Sequence, residues 1–221
     1  KRWYLRALQE EFDARLYPHG WTAAGFAMDE AQWLNAMALD GSPNRPALST
    51  GYYEYVNDLL DCPAAAELRP RSIPMLKESS VPVARLAESI WIDWRRPPQE
   101  YFECRPPESF VIIPRPSAVE TAPGQWEVVL DGKRGCVLTF ELEEQVVGWP
   151  YFTIEAPAGT TVELLVHEAH AAGGPPLLNT HFDSWTRFIC RQGINAFECF
   201  DFESLRWLQL HIYGAKGRVK V

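Results

Sequence analysis

Large apolar and polar residues alternate through most of the chain beyond Ile73, with the two-residue period of a strand that buries one face. The stretch from His181 to Ile212, HFDSWTRFICRQGINAFECFDFESLRWLQLHI, shows the pattern most fully. Aromatic, basic and apolar side chains interleave from Trp185 to Cys190, Gln192-Gly193-Ile194-Asn195 signals a turn, and Phe197, Phe200 and Phe202 resume an apolar set. Two short strands joined by a turn fit this better than one helix. The same reading predicts strands over 83–94, 101–104, 109–114, 125–130, 135–142, 146–154, 160–169, 184–190, 196–200 and 205–213. Tight turns are expected at Asp131-Gly132-Lys133 and Ala156-Pro157-Ala158-Gly159, and Gly173-Gly174-Pro175-Pro176 opens a longer loop. Many short strands with almost no helical period predict an all-β fold, a jelly-roll-like antiparallel β-sandwich with a small mixed N-terminal segment. Trp149, Phe152, Phe200 and Trp207 are expected to help fill its core.

The first seventy residues read differently. Asp29 can cap a short helix over 29–39 whose apolar stripe is Trp33, Leu34 and Met37, ended by Asp40-Gly41-Ser42-Pro43. Between residues 8 and 21 the pattern is ambiguous: Leu5, Leu8, Phe12 and Leu16 suit a helix, while Tyr17-Pro18-His19-Gly20 breaks it. Pro63, three alanines, Pro70 and Pro74 place a linker and boundary near 62–74. The expected division is an N-terminal segment, 1–72, and a β-sandwich domain, 73–221.

Composition narrows the function more than the fold. Of 221 residues, 47% are hydrophobic and 23% charged, which suits a folded globular chain. Nine Trp and 13% aromatics fit a packed sandwich or a surface on which sugar rings stack, with packing the commoner use. A net charge of −8 without a Lys/Arg cluster argues against nucleic acid as a partner. No stretch approaches the roughly 18 apolar residues of a membrane span, so no membrane partner is expected. The cysteines Cys62, Cys104, Cys136, Cys190 and Cys199 form no CxxC pair, so a zinc ribbon or redox motif is unsupported. Cys190 and Cys199 flank the predicted turn and can either face each other across a hairpin or sit as small buried apolar residues.

His167-Glu168-Ala169-His170, followed by His181 and Asp183, has the residue types of a metal site. Strand geometry weighs against it, because residues three apart point to opposite faces, so no metal and no cofactor is assigned. Glu168 and His170 do share a face and can offer hydrogen bonds to a sugar hydroxyl. Glycoside hydrolysis requires two carboxyl groups across the anomeric carbon. Asp201 and Glu203 share a strand face and come nearest to such a pair. Acids on alternating strands mostly end on the solvated face, however, and no catalytic residue is assigned. Neither a GxSxG elbow nor a base-paired cysteine nucleophile occurs.

Three segments carry a family resemblance: Glu144-Gln145-Val146-Val147-Gly148-Trp149-Pro150, Ala156-Pro157-Ala158-Gly159-Thr160 and Phe200-Asp201-Phe202-Glu203-Ser204-Leu205-Arg206-Trp207. With Phe140 to Glu168 and the closing run to Ile212, they resemble the non-catalytic β-sandwich preceding the catalytic domain of bacterial α-L-rhamnosidases, of the glycoside hydrolase family 78 kind. The resemblance covers about 10–221 and favours extended structure between residues 8 and 21. It implies that the N-terminal segment is the tail of a preceding sandwich or docks on the next one. It also implies an (α/α)-barrel downstream that holds the inverting acid and base, which makes that barrel the expected partner and leaves this chain inactive alone. The compartment, periplasmic or cytoplasmic, stays open.

The competing expectation is a carbohydrate-binding module for rhamnose-containing glycans, with contacts from Glu168, His170, His181, Asp183 and Trp185 beside the Gly-Pro loop. Exposed aromatics beside that loop would favour binding. An apolar flank without a pocket would favour a supporting role.

Overall fold

A computed structural model of the protein describes residues 8–27, 33–35, 72–97, 110–171 and 185–221. Among them there is no helix; they form twelve strands. These are β1 (Leu8–Asp13), β2 (Arg85–Trp94), β3 (Phe110–Ile113), β4 (Val119–Ala122), β5 (Gln125–Asp131), β6 (Gly135–Gly148), β7 (Tyr151–Ala156), β8 (Thr161–His167), β9 (Trp185–Ile189), β10 (Gly193–Glu198), β11 (Glu203–Tyr213) and β12 (Lys216–Lys220). A seven-stranded sheet has the order β1-β9-β8-β11-β6-β2-β3, and a five-stranded sheet the order β10-β7-β12-β5-β4. Pairing is antiparallel except for β1, which runs parallel to β9 at one edge of the larger sheet. The all-β sandwich expected from the alternation is therefore present.

By its contacts the chain divides into one unit of Lys1–Tyr17 with Ser80–Val221, which holds all twelve strands, and another of Pro18–Ser79. In the second unit Trp33 packs against Trp21 and Phe26 at ring-centroid distances of 6.3 and 6.4 Å. The helix expected over 29–39 lies largely outside the described residues, and Trp33–Asn35 have no regular structure. The strand expected over 101–104 also lies outside them.

Alternation builds the core. Leu138 and Phe140 of β6, Val162 and Leu164 of β8, and Leu208, Leu210 and Ile212 of β11 turn inward to meet Val128, Ile154 and Val219 of the smaller sheet. Phe188 stacks on Phe197 at 4.8 Å, and Phe152 meets both rings at 5.5 and 5.6 Å, joining the sheets at one end. Trp126 closes on Phe140 edge-on at 4.9 Å.

Two expected core aromatics are elsewhere. Phe152 and Trp207 are buried, but Trp149 is 43% and Phe200 88% exposed. The strand read as 146–154 breaks at Trp149-Pro150, where proline has no N–H for a ladder, so Trp149 falls in the β6–β7 turn. β10 occupies Gly193–Glu198 instead of 196–200, which leaves Phe200 in the loop before β11. β4 and β12 were not evident in the alternation, because VETA is a short polar hairpin edge and KGRVK buries only Val219.

The β5–β6 turn shows how local chemistry fixes register. Asp131 accepts the N–H groups of Lys133 and Arg134 at 2.9 and 2.8 Å and the Arg134 Nε at 2.8 Å. Gly132 takes a φ of 80°, which a side chain would oppose. The Arg134 and Lys133 amides and the Arg134 guanidinium outweigh partial burial and hold the Asp131 carboxyl at about 2. A carboxyl depressed on folding stabilises above its unfolded value near 3.8, and that contribution disappears as pH falls towards 2. Asp131→Asn is thus expected to lower stability at pH 7 and to flatten the stability profile between pH 4 and 2. Urea unfolding across that range measures it, and an unchanged profile would contradict the assigned interaction.

Cys136, Cys190 and Cys199 are free thiols buried in the core, and burial pushes Cys136 and Cys190 up to about 12. Cys190 and Cys199 do not bridge the β9–β10 hairpin.

Candidate functional site

Of the sequence-predicted sugar contacts, the described ones stand after the end of β8 and at the start of β9. β8 ends at His167, where the Ala169 N–H donates to the imidazole Nδ1 at 2.9 Å and folds the strand end into a turn. That turn leaves Glu168 exposed and brings His170 back over the larger sheet. The His170 Nε2 lies 2.8 Å from Glu88 Oε2 on β2, and its ring meets Trp207 edge-on at 5.0 Å. Trp207 packs in turn with Leu165 and Trp185. Glu168, His170 and Trp185 are therefore brought to one end of the sheet, with different exposures. Trp185 is only 1% exposed, so it supports Trp207 from beneath and offers no open ring face. His181 and Asp183 lie outside the described residues. Among the described residues, no three His, Cys, Asp or Glu side chains come together as a metal site.

Sequence reading overlooked the outer face of the larger sheet. In a two-layer sandwich this face is normally solvated, yet Thr139, Glu163, Gln209 and His211 are at most 1% exposed. Register explains how they meet: Gln209 stands between Thr139 and Leu165, and His211 stands between Val137 and Glu163. Gln209 Nε2 donates to Thr139 Oγ1 at 2.7 Å, and the His211 Nε2 is 2.8 Å from Gln209 Oε1. One row further, the Tyr213 hydroxyl and Arg187 Nε both donate to Glu163 Oε1, at 2.9 and 3.1 Å. Arg187 Nη1 also donates to Glu11 Oε2 on β1 at 3.0 Å. Burial works against the Arg187 charge, but the fields of Glu163 and Tyr213 and the bonds to Glu11 and Glu163 outweigh it and raise its pKa. Beside this belt, Trp94, Phe110 and Tyr213 form an edge-on aromatic group with His211. The Gln209-x-His211-x-Tyr213 alternation was a visible signal, but by itself it fits a wet face equally well.

Glu141 bridges the two parts of this end. Burial favours its neutral form, but Arg85 at 2.6 Å and Arg206 at 3.0 Å hold its carboxyl below the ordinary range. Arg206 sits at the bulge between Leu205 and Trp207, and the clamp therefore fixes the point from which β11 and β6 continue as a two-stranded arm. Ser204 pairs with Val147 and Glu203 with Gly148 along that arm. At its tip the exposed Trp149 meets Phe202 edge-on at 6.1 Å, with Val147 and Phe200 exposed nearby in sequence. Two of the three segments bearing the family resemblance are thus the two strands of this arm. At the same end as this tip, Glu10, Asp201 and Glu203 line a hollow of about 200 Å³, where Glu10 accepts the Phe200 N–H at 3.0 Å.

No family model matches the chain, and no curated protein matches it. Among solved structures the chain is similar to a GH78 family rhamnosidase of Bacillus sp. GL1, at 25% identity and a TM-score of 0.41. That match takes in 50% of this chain and 12% of the rhamnosidase chain.

Proposed function

We propose that this chain is the non-catalytic β-sandwich region of an α-L-rhamnosidase-like glycoside hydrolase, supporting the catalytic (α/α)-barrel of the same polypeptide and inactive alone. The observation that carries this reading is the arm: segments resembling the rhamnosidase sandwich pair as a two-stranded ribbon ending in exposed Val147, Trp149, Phe200 and Phe202. Apolar groups grouped on a surface mark contact with another protein surface. The Glu141 clamp holds the ribbon's root, so its tip presents a fixed surface.

Trp149→Ala and Phe202→Ala are expected to shift the unfolding of the isolated chain by about 1 kcal/mol or less, since their edge contact is exposed. In the full-length gene product the same changes should lower the temperature at which rhamnosidase activity is lost. Equal thermal inactivation of wild type and variants in that product would remove the docking role of the arm.

A second reading is favoured by the His170 geometry. An imidazole fixed by Glu88 and Trp207 beside exposed Glu168 suits a hydroxylated ligand, with His181 and Asp183 as the remaining proposed contacts and the buried Trp185 behind them as support. Calorimetric titration with rhamnose and rhamnosyl oligosaccharides tests it. Heat at millimolar ligand that is lost in His170→Ala supports the site, and no heat at that concentration eliminates it.

A further inference from the structure

The hollow of about 200 Å³ lined by Glu10, Thr186, Cys199, Phe200, Asp201 and Glu203 lies where the inner face of β1 and β9 meets the loop before β11. Register shows how its strand side is built. β1 and β9 run parallel with Glu10 beside Thr186, Glu11 beside Arg187 and Phe12 beside Phe188. Glu11 and Arg187 bond each other on the outer face, whereas Phe12 and Phe188 pack into the core. Alternation therefore turns Glu10 and Thr186 inward, as neighbours on one face. On its other side Thr186 stands opposite Leu164, which is also a core residue.

These two neighbours have acceptors to offer. Thr186 is only 7% exposed, yet its Oγ1 makes no hydrogen bond among the described residues. A buried hydroxyl normally has a partner, and this one lines the hollow. Glu10 accepts the Phe200 N–H through Oε2, and its Oε1 makes no hydrogen bond among the described residues. Asp201 and Glu203 add carboxylates on the loop side, and no Lys or Arg is among the described residues lining the space. A lining of this kind selects a ligand that brings donors and positive charge. Its acids do not converge as a metal site, which points to a cation with a molecular body rather than a bare ion. The body is short, since pockets for larger organic ligands start at roughly 300 Å³.

We propose that the hollow binds a primary alkylammonium group, its nitrogen donating to Glu10 Oε1 and Thr186 Oγ1 and its methylene stem lying against Phe200. An ammonium directs three donors from one atom, enough for both acceptors and one loop carboxylate. Phe200 lines the hollow while 88% exposed, so its ring is open to the stem and to the charge. A free amine and a lysine side chain of another protein carry the same chemistry, and separate probes distinguish them.

The probes are n-butylammonium chloride for the free amine and Nα-acetyl-lysine methylamide for the side chain, each titrated to millimolar concentration while the amide resonances of Thr186 and Phe200 are followed. At least one is expected to shift both resonances saturably, and the tighter of the two identifies the source. n-Butanol, with the same stem and no charge, should shift neither. Thr186→Val keeps the shape and removes the hydroxyl, and Glu10→Gln keeps an acceptor for the Phe200 N–H and removes the charge. Each should weaken binding about tenfold, the loss of one hydrogen bond to a charged group. Glu10→Gln decides alone if Thr186→Val fails to fold. No saturable shift by either ammonium, equal shifts by n-butanol, or unchanged affinity in either folded variant would overturn the proposal. Shifts produced by rhamnose or calcium chloride and not by the ammonium probes would overturn it too, in favour of a polyol or a metal ion.

Discussion

Replacing Arg187 with alanine is expected to destabilise the protein by about 3–5 kcal/mol, the cost of leaving one member of a buried ion pair without its counter-charge. Glu163 is 0% exposed, and Arg187 supplies its Nε at 3.1 Å while also reaching Glu11 on the edge strand. Loss of the guanidinium leaves Glu163 with the Tyr213 hydroxyl as its remaining neutral donor in this group and releases the tie to β1. Two controls separate charge from packing. Glu163→Gln retains an acceptor for Tyr213 and should cost less than Arg187→Ala. The double change Arg187→Met with Glu163→Leu should recover much of the loss, because apolar pairs of similar volume often replace buried ion pairs without penalty. Urea unfolding measures all three, and a loss under 1 kcal/mol for Arg187→Ala would show that the pair is solvated.

The second large effect is in the ring cluster joining the sheets. Phe188→Ala removes a ring that is 1% exposed, stacks on Phe197 and meets Phe152, and should cost about 3–5 kcal/mol. Trp207→Ala, under His170 and against Trp185, belongs to the same class. Phe200→Ala is the contrast: at 88% exposure it should change stability by about 0.5 kcal/mol or less. A Phe200 effect as large as that of Phe188 would mean that the loop before β11 packs differently.

Strand alternation made the sandwich legible because one buried face imposes a period of two, and β5, β8, β9 and β11 lie close to where that period puts them. It was less informative where apolar residues leave the sheet. Phe197, Phe200 and Phe202 form one apolar run in sequence, but only Phe197 is inside, because β10 ends at Glu198 and the other two belong to the loop and the arm. The outer-face belt was hidden for the opposite reason. Thr139, Glu163, Arg187, Gln209 and His211 occupy positions where alternation expects water, and their burial depends on cross-strand register that a linear pattern does not carry. At the candidate site, Glu168 and His170 were expected on one strand face, but β8 ends at His167, and the turn that follows leaves Glu168 exposed and carries His170 back over the sheet. The Glu88 partner, 82 positions away, was not legible.

The central claim, a sandwich that supports catalysis without performing it, is tested most directly by assaying the isolated, folded chain for rhamnose release from aryl rhamnosides. The account predicts no turnover above background, and no change in Asp201→Asn or Glu203→Gln. Turnover by the isolated chain that disappears in either variant would contradict it, placing the acid and base in the hollow formed by Glu10, Asp201 and Glu203.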